Sequence, residues 1–422
     1  MNRFRNRTIQ HASVWIGALI VGVSAVLYAR LIAVVQAFYL GWFGSHSYVL
    51  SAVSPLAFVG ATFLVKRYAP HAKGSGIPQV LEAIEEAKES QDSHRAWHSD
   101  LISVRTALFK VLSSTVGILG GASIGREGPT IQIAASGFAW VGRKTKKWVP
   151  TVDLQSYLVA GAAAGVAAAF NTPLAGITFA MEEVIGGAFG SVKQILMLAV
   201  IIAGITSQAL LGDYLYFGHP AFAKLSLWLI PEAILLGVAG GVFGGGFARL
   251  LAFPGLTKLP KNWWPRALVC GIACAGIGLL TNGDSAGSGY EVTRRALAAN
   301  GPEAANLYFP LWKLITTVLS YLSGMAGGIF SPCLSIGAGM GITAAKIFHL
   351  DNFRACALMG MVAFFSGAVR APLTAVIIVM EMTDEHILIL PFMIAAFLSE
   401  GIGRLIMPTP LYHFLASKHE EA

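Results

Sequence analysis

The chain has 422 residues, of which 55% are hydrophobic and only 12% are charged. An ordinary soluble domain has about 25% charged residues, so this composition excludes a soluble globular protein and a disordered chain. A membrane β-barrel would show roughly 10-residue segments of alternating polarity, and the long apolar runs here do not. We therefore expect an all-α polytopic membrane protein with a single integral membrane domain over residues 1–422.

The net charge of +8 comes largely from short clusters between apolar runs, such as Arg3, Arg5 and Arg7. Clusters in these places are typical of charges that flank membrane spans, and they do not indicate a nucleic-acid partner. By the positive-inside rule, the N-terminal arginines predict a cytoplasmic N-terminus in a protein surrounded by lipid.

Apolar segments follow one another along the chain. The first, at roughly 13–43, exceeds the 7–15-residue apolar core of a signal peptide and predicts a transmembrane helix. Several of the others are shorter than the roughly 20 residues needed to span a bilayer, and glycine and proline interrupt many. This pattern predicts tilted, partly broken helices that line a site at membrane depth. The later segments are roughly 48–66, 101–121, 129–142, 154–170, 173–186, 192–211, 226–253, 266–280, 308–326, 332–348, 355–369, 372–382 and 387–407.

Metal, disulfide and cofactor sites are not indicated. His94 and His98 stand four residues apart in a polar stretch, which favours a solvated loop over a pair of metal ligands. The cysteines form no CxxC pair and lie in apolar segments, as small buried residues do. They are Cys270, Cys274, Cys333 and Cys356.

An internal repeat divides the chain into halves of about 48–212 and 226–407. Residues 110–137 align without gaps to residues 313–340, and residues 170–183 align to residues 369–382. The triplet Gly74-Ser75-Gly76 has a counterpart at Gly287-Ser288-Gly289. Such duplication is common in transporters, often with inverted topology and with the substrate site at the repeat interface.

Three glycine-rich loops each place a proline where an apolar or amphipathic run begins. They are residues 74–78 (GSGIP), 125–129 (GREGP) and 328–332 (GIFSP). Proline favours the first helical turn, and the N-terminus of a helix offers free N–H donors and about half a positive charge. Three such ends directed at one point predict an anion site that needs no lysine or arginine.

Two acidic features stand in apolar sequence, where a carboxylate is costly. Glu127 lies between glycines at a predicted helix start, so its ionised form would resemble an anion in the site. This suggests a gate that opens on protonation, with an ion pair to Arg126 as the structural alternative. Glu182 and Glu183 are adjacent, but only Glu182 has an acidic counterpart in the second repeat, so we expect Glu182 to be structural and Glu183 functional.

These motifs together resemble the CLC family of chloride channels and chloride/proton antiporters. The three loops, PLAG at 173–176 with the following glutamate pair, and PLYHFL at 410–415 match that family in order and spacing. The resemblance covers nearly the whole chain. One departure is Gln79, where the family often has glutamate after GSGIP.

The resemblance implies an inverted-repeat bundle that forms a homodimer with one anion pathway in each subunit. It implies that the Ser75 and Tyr412 hydroxyls and the backbone amides of Ile329 and Phe330 bind chloride. Glu127 would be the external gating glutamate, and the internal proton-transfer glutamate would be Glu183. A bacterial inner membrane is the expected location.

The resulting hypothesis is a secondary active transporter that exchanges chloride for protons. The same resemblance implies chloride over nitrate, since nitrate-preferring members tend to have proline at the position of Ser75, and it argues against fluoride, since fluoride-exporting relatives lack this serine motif and the tyrosine. A passive chloride channel of the same family is the alternative, although such channels usually lack an acid at the position of Glu183. An intramembrane enzyme is a second alternative, but no HExxH motif is present and the histidines are scattered.

Overall fold

A computed structural model describes residues 2–89, 97–148, 152–185, 189–212, 215–220, 229–253, 262–298 and 306–420. His94 lies outside these ranges, so the prediction for the polar loop remains untested. The described residues form helices, short 3₁₀ turns and two isolated backbone bridges, without a named strand.

The first half of the chain contributes seven helices among the described residues. They are α1 (Asn2–Tyr68), α2 (Ile77–Glu89), α3 (Val104–Leu119), α4 (Glu127–Thr145), α5 (Leu154–Phe170), α6 (Pro173–Phe179) and α7 (Phe189–Leu211). A short π-helical segment, Ala180–Val184, directly extends α6.

The second half contributes nine more described helices. They are α8 (Leu229–Ala252), α9 (Trp263–Leu280), α10 (Tyr290–Ala298), α11 (Phe309–Ser323), α12 (Phe330–Phe348), α13 (Phe353–Val369), α14 (Pro372–Thr383), α15 (Ile389–Ile406) and α16 (Leu411–Glu420). The predicted apolar segments coincide with these helices to within a few residues, because hydrophobic length is a strong local signal.

The lengths of the helices fit a multi-pass membrane protein. Five described helical stretches are long and apolar enough to cross a bilayer, the first of them spanning His11–Tyr68. That stretch breaks at His46, whose φ of −135° and ψ of 41° are not helical, and it therefore holds the two apolar segments predicted at 13–43 and 48–66. Shorter apolar helices of 10–17 residues are present as well, such as Leu154–Phe170 and Phe353–Val369.

The centre of the bundle is formed by α5 and α13, which occupy equivalent places in the two repeats. Nearly every residue of both helices is buried. Each helix ends in a left-handed residue, Asn171 with φ 58° and Arg370 with φ 71°. The chain then turns directly into the proline-initiated helices α6 and α14, so equivalent sequence positions produce the same break in each repeat.

Candidate functional site

The three glycine-rich loops meet inside the protein. Gly125 and Gly328 exchange backbone hydrogen bonds, from Gly125 N–H to the Gly328 carbonyl at 2.7 Å and in return at 2.8 Å. Gly74 N–H donates to the Met325 carbonyl at 2.9 Å, and Gly327 N–H donates to the Gly74 carbonyl at 2.9 Å. The structure thus brings together the loops that sequence patterns assigned to one site.

Close contact between the loops requires glycine at Gly128. A Cβ atom there would collide with the Ser75 side chain and would lie 2.8 Å from the Ser75 carbonyl oxygen. Real Cβ atoms do not approach other atoms so closely, so a larger residue would push the first turn of α4 away from Ser75.

Three helix N-termini begin at these loops, since α2, α4 and α12 start at Ile77, Glu127 and Phe330. The prolines stand second or third in each helix. The first four N–H groups of a helix have no acceptor within it, and they carry the positive end of the helix dipole. This arrangement is the one expected to bind an anion through partial charges.

Two buried hydroxyls adjoin the loops. The Ser75 and Tyr412 hydroxyls are within interaction distance of each other, but neither oxygen makes a hydrogen bond of good geometry in the described part of the chain. Buried polar atoms are rarely left without a partner, so these two require a ligand or water as an explanation. Both residues were predicted to bind chloride.

The backbone at the start of α12 is held by aromatic packing. Ile329 and Phe330 are buried, and the Phe330 ring centroid lies 5.0 Å from that of Phe170 and 4.2 Å from that of Phe365. The two residues predicted to offer amides therefore stand at a rigid helix start beside the Gly125–Gly328 bridge.

A buried lysine fixes the first loop from behind. Lys110 on α3 donates from Nζ to the Gly74 carbonyl at 2.9 Å. Lys313 on α11 does the same for the equivalent loop, donating to the carbonyls of Ser285, Ala286 and Gly287 at 3.0, 3.2 and 2.7 Å. Both ammonium groups bind carbonyls of the protein, which leaves the partial charges of the helix ends to act on an anion.

Glu127 is fully buried at the first position of α4. Its Oε1 accepts a hydrogen bond from the Tyr216 hydroxyl at 3.3 Å and lies 3.8 Å from Arg126 Nε. Its Oε2 has no hydrogen-bond partner among the described residues. The carboxylate is thus held through one oxygen, while the ion pair with Arg126, the structural alternative, is long.

Glu183 lies in the π-helical segment, with its side chain 3% exposed. A π-helical turn is rare and often marks a functional site. Glu183 Oε1 makes no hydrogen bond to the described residues and lies 3.9 Å from Nε2 of His413, whose side chain is 49% exposed. The buried acid therefore has a solvent-accessible histidine beside it.

Glu182 points elsewhere and caps a helix of the other repeat. Its carboxylate accepts hydrogen bonds from the N–H groups of Leu373 and Thr374 at 2.9 and 2.7 Å, at the start of α14. Glu381 caps α6 in return, accepting from the N–H groups of Leu174 and Ala175 at 3.1 and 2.8 Å. The expectation that the duplicated acid is structural agrees with these contacts.

Sequence patterns did not select Tyr216, His413 or Arg370. Arg370 donates to the carbonyls of Met407 and Pro408 at 2.8 and 2.6 Å and so fixes the turn that precedes Tyr412. Each of the three acts through a contact with a residue distant in sequence. Only the place of His413 directly after Tyr412 could have drawn attention to it.

Two GxSxG sequences, at residues 121–125 and 283–287, could suggest a nucleophilic serine. The Ser123 hydroxyl pairs with the Thr317 hydroxyl at 2.8 Å, and the Ser285 hydroxyl accepts from the Thr281 hydroxyl at 2.9 Å. Both serines lie in turns that follow helices, whereas the nucleophile elbow joins a strand to a helix. The contacts described for them indicate roles in these turns.

Comparison with known proteins finds sequence relatives that match most of the chain. The chain is 34% identical over 395 residues to the H(+)/Cl(-) exchange transporter ClcA of Yersinia pestis bv. Antiqua (strain Angola), covering 88% of this chain and 77% of that protein. It is 34% identical to the exchange transporter of the same name from Vibrio campbellii (strain ATCC BAA-1116), covering 85% and 76%.

Solved structures share the fold. A slow cyanobacterial Cl-/H+ antiporter superposes with a TM-score of 0.83 at 24% identity, over 97% of this chain and 98% of that one. A CLC-type fluoride/proton antiporter superposes with a TM-score of 0.77 at 25% identity, over 96% and 97%. The family model described as voltage gated chloride channel matches residues 56–404. The chain therefore belongs to the voltage-gated chloride channel family, the CLC proteins.

Proposed function

We propose that this protein is a secondary active transporter that exchanges chloride for protons across a bacterial inner membrane. The observation that carries the proposal is the pair of buried hydroxyls, Ser75 and Tyr412, which lack partners among the described residues beside converging helix N-termini. Donors of this kind suit a monovalent anion, which they can bind and still release.

In this proposal the two hydroxyls and the amides of Ile329 and Phe330 bind chloride. No full positive charge is needed at the site, since the nearby Lys110 ammonium already binds backbone carbonyls. The helix dipoles supply attraction of modest size, which permits rapid release.

Glu127 acts as the gate on the outer side. Its ionised carboxylate competes with chloride because it offers the same negative charge to the same donors. Protonation removes that charge, so the side chain leaves the path and carries a proton with it. Its fully buried position beside the Gly125–Gly328 bridge supports this role.

Glu183 transfers protons between Glu127 and the cytoplasm by a separate inner route. Burial with an unpartnered Oε1 suits a group that binds and releases a proton, because no hydrogen bond in the described residues fixes its charge state. Coupling follows because Glu127 takes part in both the chloride path and the proton path.

The relatives favour exchange over a passive channel, since the sequence relatives reported above are named as H(+)/Cl(-) exchange transporters. Their names describe transport. We extend the proposal to a lipid-embedded homodimer with one pathway per subunit and a cytoplasmic N-terminus. The clustered arginines near the N-terminus support that orientation.

The test is proton movement in proteoliposomes that hold a chloride gradient, with a potassium ionophore clamping the voltage at zero. We expect chloride leaving down its gradient to drive protons uphill. Chloride flux without proton movement would instead make the protein a passive channel. Replacing chloride with fluoride in the same assay tests selectivity, and we expect much slower flux.

A further inference from the structure

A tyrosine outside the three glycine-rich loops contacts Glu127 directly. Tyr216 lies in the short described segment between α7 and α8, and its hydroxyl donates to Glu127 Oε1 at 3.3 Å. We propose that Tyr216 is a positioning residue that holds the ionised gate off the Ser75 and Tyr412 hydroxyls, neither of which is hydrogen-bonded to Glu127 in the described structure. This inference rests on the role proposed above for Glu127.

The Tyr216 ring is fixed by its neighbours. Its centroid lies 4.6 Å from that of Tyr290 and 5.9 Å from that of Phe170, in edge-to-face contacts. The adjacent Phe217 anchors the segment to the second repeat, since its N–H donates to the Met382 carbonyl at 3.1 Å. A hydroxyl on a ring held in this way presents its hydrogen bond at one place.

Among the described residues, the Tyr216 hydroxyl is the hydrogen-bond donor to the Glu127 carboxylate, because the other nearby polar groups have different partners. Arg126 lies 3.8 Å from Oε1, and its guanidinium donates to the Ala29 carbonyl at 3.0 Å and stands 5.7 Å from the centre of the Tyr216 ring. Tyr28 on α1 is within electrostatic reach, but its hydroxyl pairs with Ser114 at 2.7 Å.

Tyr216 and Arg126 also border a cavity. Tyr216 and Arg126 line a space of about 620 Å³ together with Arg30, Arg295 and Ser288. Movement of the carboxylate from this position toward Ser75 and Tyr412 must break the bond to Tyr216. The bond therefore lowers the fraction of time that the carboxylate occupies the chloride site.

The test is chloride binding to purified protein by calorimetric titration. Tyr216→Phe removes the hydroxyl and keeps the ring, so we expect chloride affinity to fall roughly 10-fold, as expected for loss of a hydrogen bond to a charged group. Tyr290→Phe removes the hydroxyl of a residue that lines the same cavity, keeps the ring that packs on Tyr216, and should leave the affinity unchanged.

Repeating the titration in Glu127→Ala protein tests the role of Tyr216 separately from the proposed transport function. In Glu127→Ala protein no carboxylate competes, so Tyr216→Phe should no longer alter chloride affinity. An equal loss in both backgrounds, or no loss in the native background, would overturn the positioning role. Retained proton coupling in Glu127→Ala alone would overturn the gate itself.

A separate contact concerns the inner acid. His413 Nε2 lies 3.9 Å from Glu183 Oε1, and His413 is about half exposed whereas Glu183 is buried. We infer that His413 passes protons between water and Glu183. Water delivers a proton to Nδ1 of the neutral imidazole, and the Nε2 proton of the resulting imidazolium passes to the carboxylate oxygen. A turn of the ring, or proton exchange with water, then restores the Nε2–H form.

The surroundings of His413 suit such a relay. Glu183 contacts it from the π-helical segment, through its backbone as well as its carboxylate, and Glu85 and Lys88 on α2 are within electrostatic reach. Glu85 and Lys88 pair with each other at 2.9 Å, so their charges largely cancel near the imidazole. The histidine follows Tyr412 directly, so the same turn places one residue at the anion site and the next at the acid.

His413→Gln keeps hydrogen-bonding ability but cannot relay a proton. We expect proton flux in proteoliposomes to fall roughly 10-fold or more, with a smaller change in chloride flux, and imidazole buffer to restore part of the proton flux. His386→Gln changes an exposed histidine paired with Asp384 and serves as the control. An unchanged proton-to-chloride ratio, or a loss that imidazole does not restore, would overturn the relay. Undiminished proton flux in Glu183→Gln would instead overturn the inner route.

Discussion

The two repeats share their supporting contacts and differ in their acids. Lys110 and Lys313 occupy equivalent positions, and each donates to a glycine-rich loop. Glu182 and Glu381 each cap a helix of the opposite repeat. By contrast, the position equivalent to Glu127 is Phe330.

Two further differences between the repeats also lie at residues proposed for transport. Glu183 aligns with Met382, so the first repeat alone has the inner acid. Ser75 has an unpartnered buried hydroxyl in the described structure, whereas its counterpart Ser288 accepts a hydrogen bond from Tyr290 N–H at 3.3 Å. The duplicated residues support the fold, and the departures from symmetry coincide with the residues proposed for transport.

The strongest test of this division is Glu127→Ala. We expect chloride flux to persist while proton coupling and the pH dependence of chloride flux disappear, because no carboxylate remains to compete or to carry the proton. Flux of both ions in proteoliposomes measures this. As a control, Glu381→Ala removes an acid from a helix cap and should keep proton coupling. Coupling that survives Glu127→Ala would contradict the assignment of transport to the acids that are not duplicated.

Glu183→Gln should lower proton flux by about 100-fold or more while chloride still passes, because the amide cannot accept and release a proton. Met382→Leu at the equivalent position conserves volume and should leave both fluxes nearly unchanged. Simultaneous loss of both fluxes in folded Glu183→Gln protein would contradict separate routes for the two ions.

Replacing each buried lysine with methionine distinguishes a role in protein stability from a role in chloride binding. Lys313→Met removes a donor from three carbonyls, of which that of Ser285 keeps the Thr316 hydroxyl, and should lower the free energy of unfolding by about 3 kcal/mol. Lys110→Met should cost about 2 kcal/mol and also weaken chloride binding, because its loop carries Ser75. Thermal unfolding in detergent and chloride titration measure the two effects. Equal losses of chloride affinity in Lys110→Met and Lys313→Met would show that the two loops contribute equally to chloride binding.

The reciprocal caps should give the smallest effect. Glu182→Ala removes acceptors for two N–H groups and the Thr374 hydroxyl, and should cost about 1–2 kcal/mol of stability. Glu381→Ala removes acceptors for two N–H groups and should cost about 1 kcal/mol. Unfolding midpoints rank the two variants, with the proton-to-chloride ratio as the second measurement. A changed proton-to-chloride ratio in Glu182→Ala would show that Glu182, the duplicated acid, takes part in transport.

Much of this protein follows from its sequence alone. Apolar run length predicts the helices, because a span needs a fixed number of hydrophobic residues. Gapless alignment of residues 110–137 with 313–340 predicts the repeat. Glycine followed by proline predicts helix starts at three loops, since both residues act on the backbone locally. Carboxylates in apolar sequence single out Glu127 and Glu183, because burial of a charge is costly.

Tertiary structure decided which groups meet. The bridge between Gly125 and Gly328 joins residues about half the chain apart, and no local pattern encodes their pairing. The hydroxyl of Tyr216 reaches Glu127, and His413 reaches Glu183, only because segments distant in sequence pack against each other. Local sequence sets backbone conformation and burial, whereas the partner of a buried polar group depends on which distant segment closes over it.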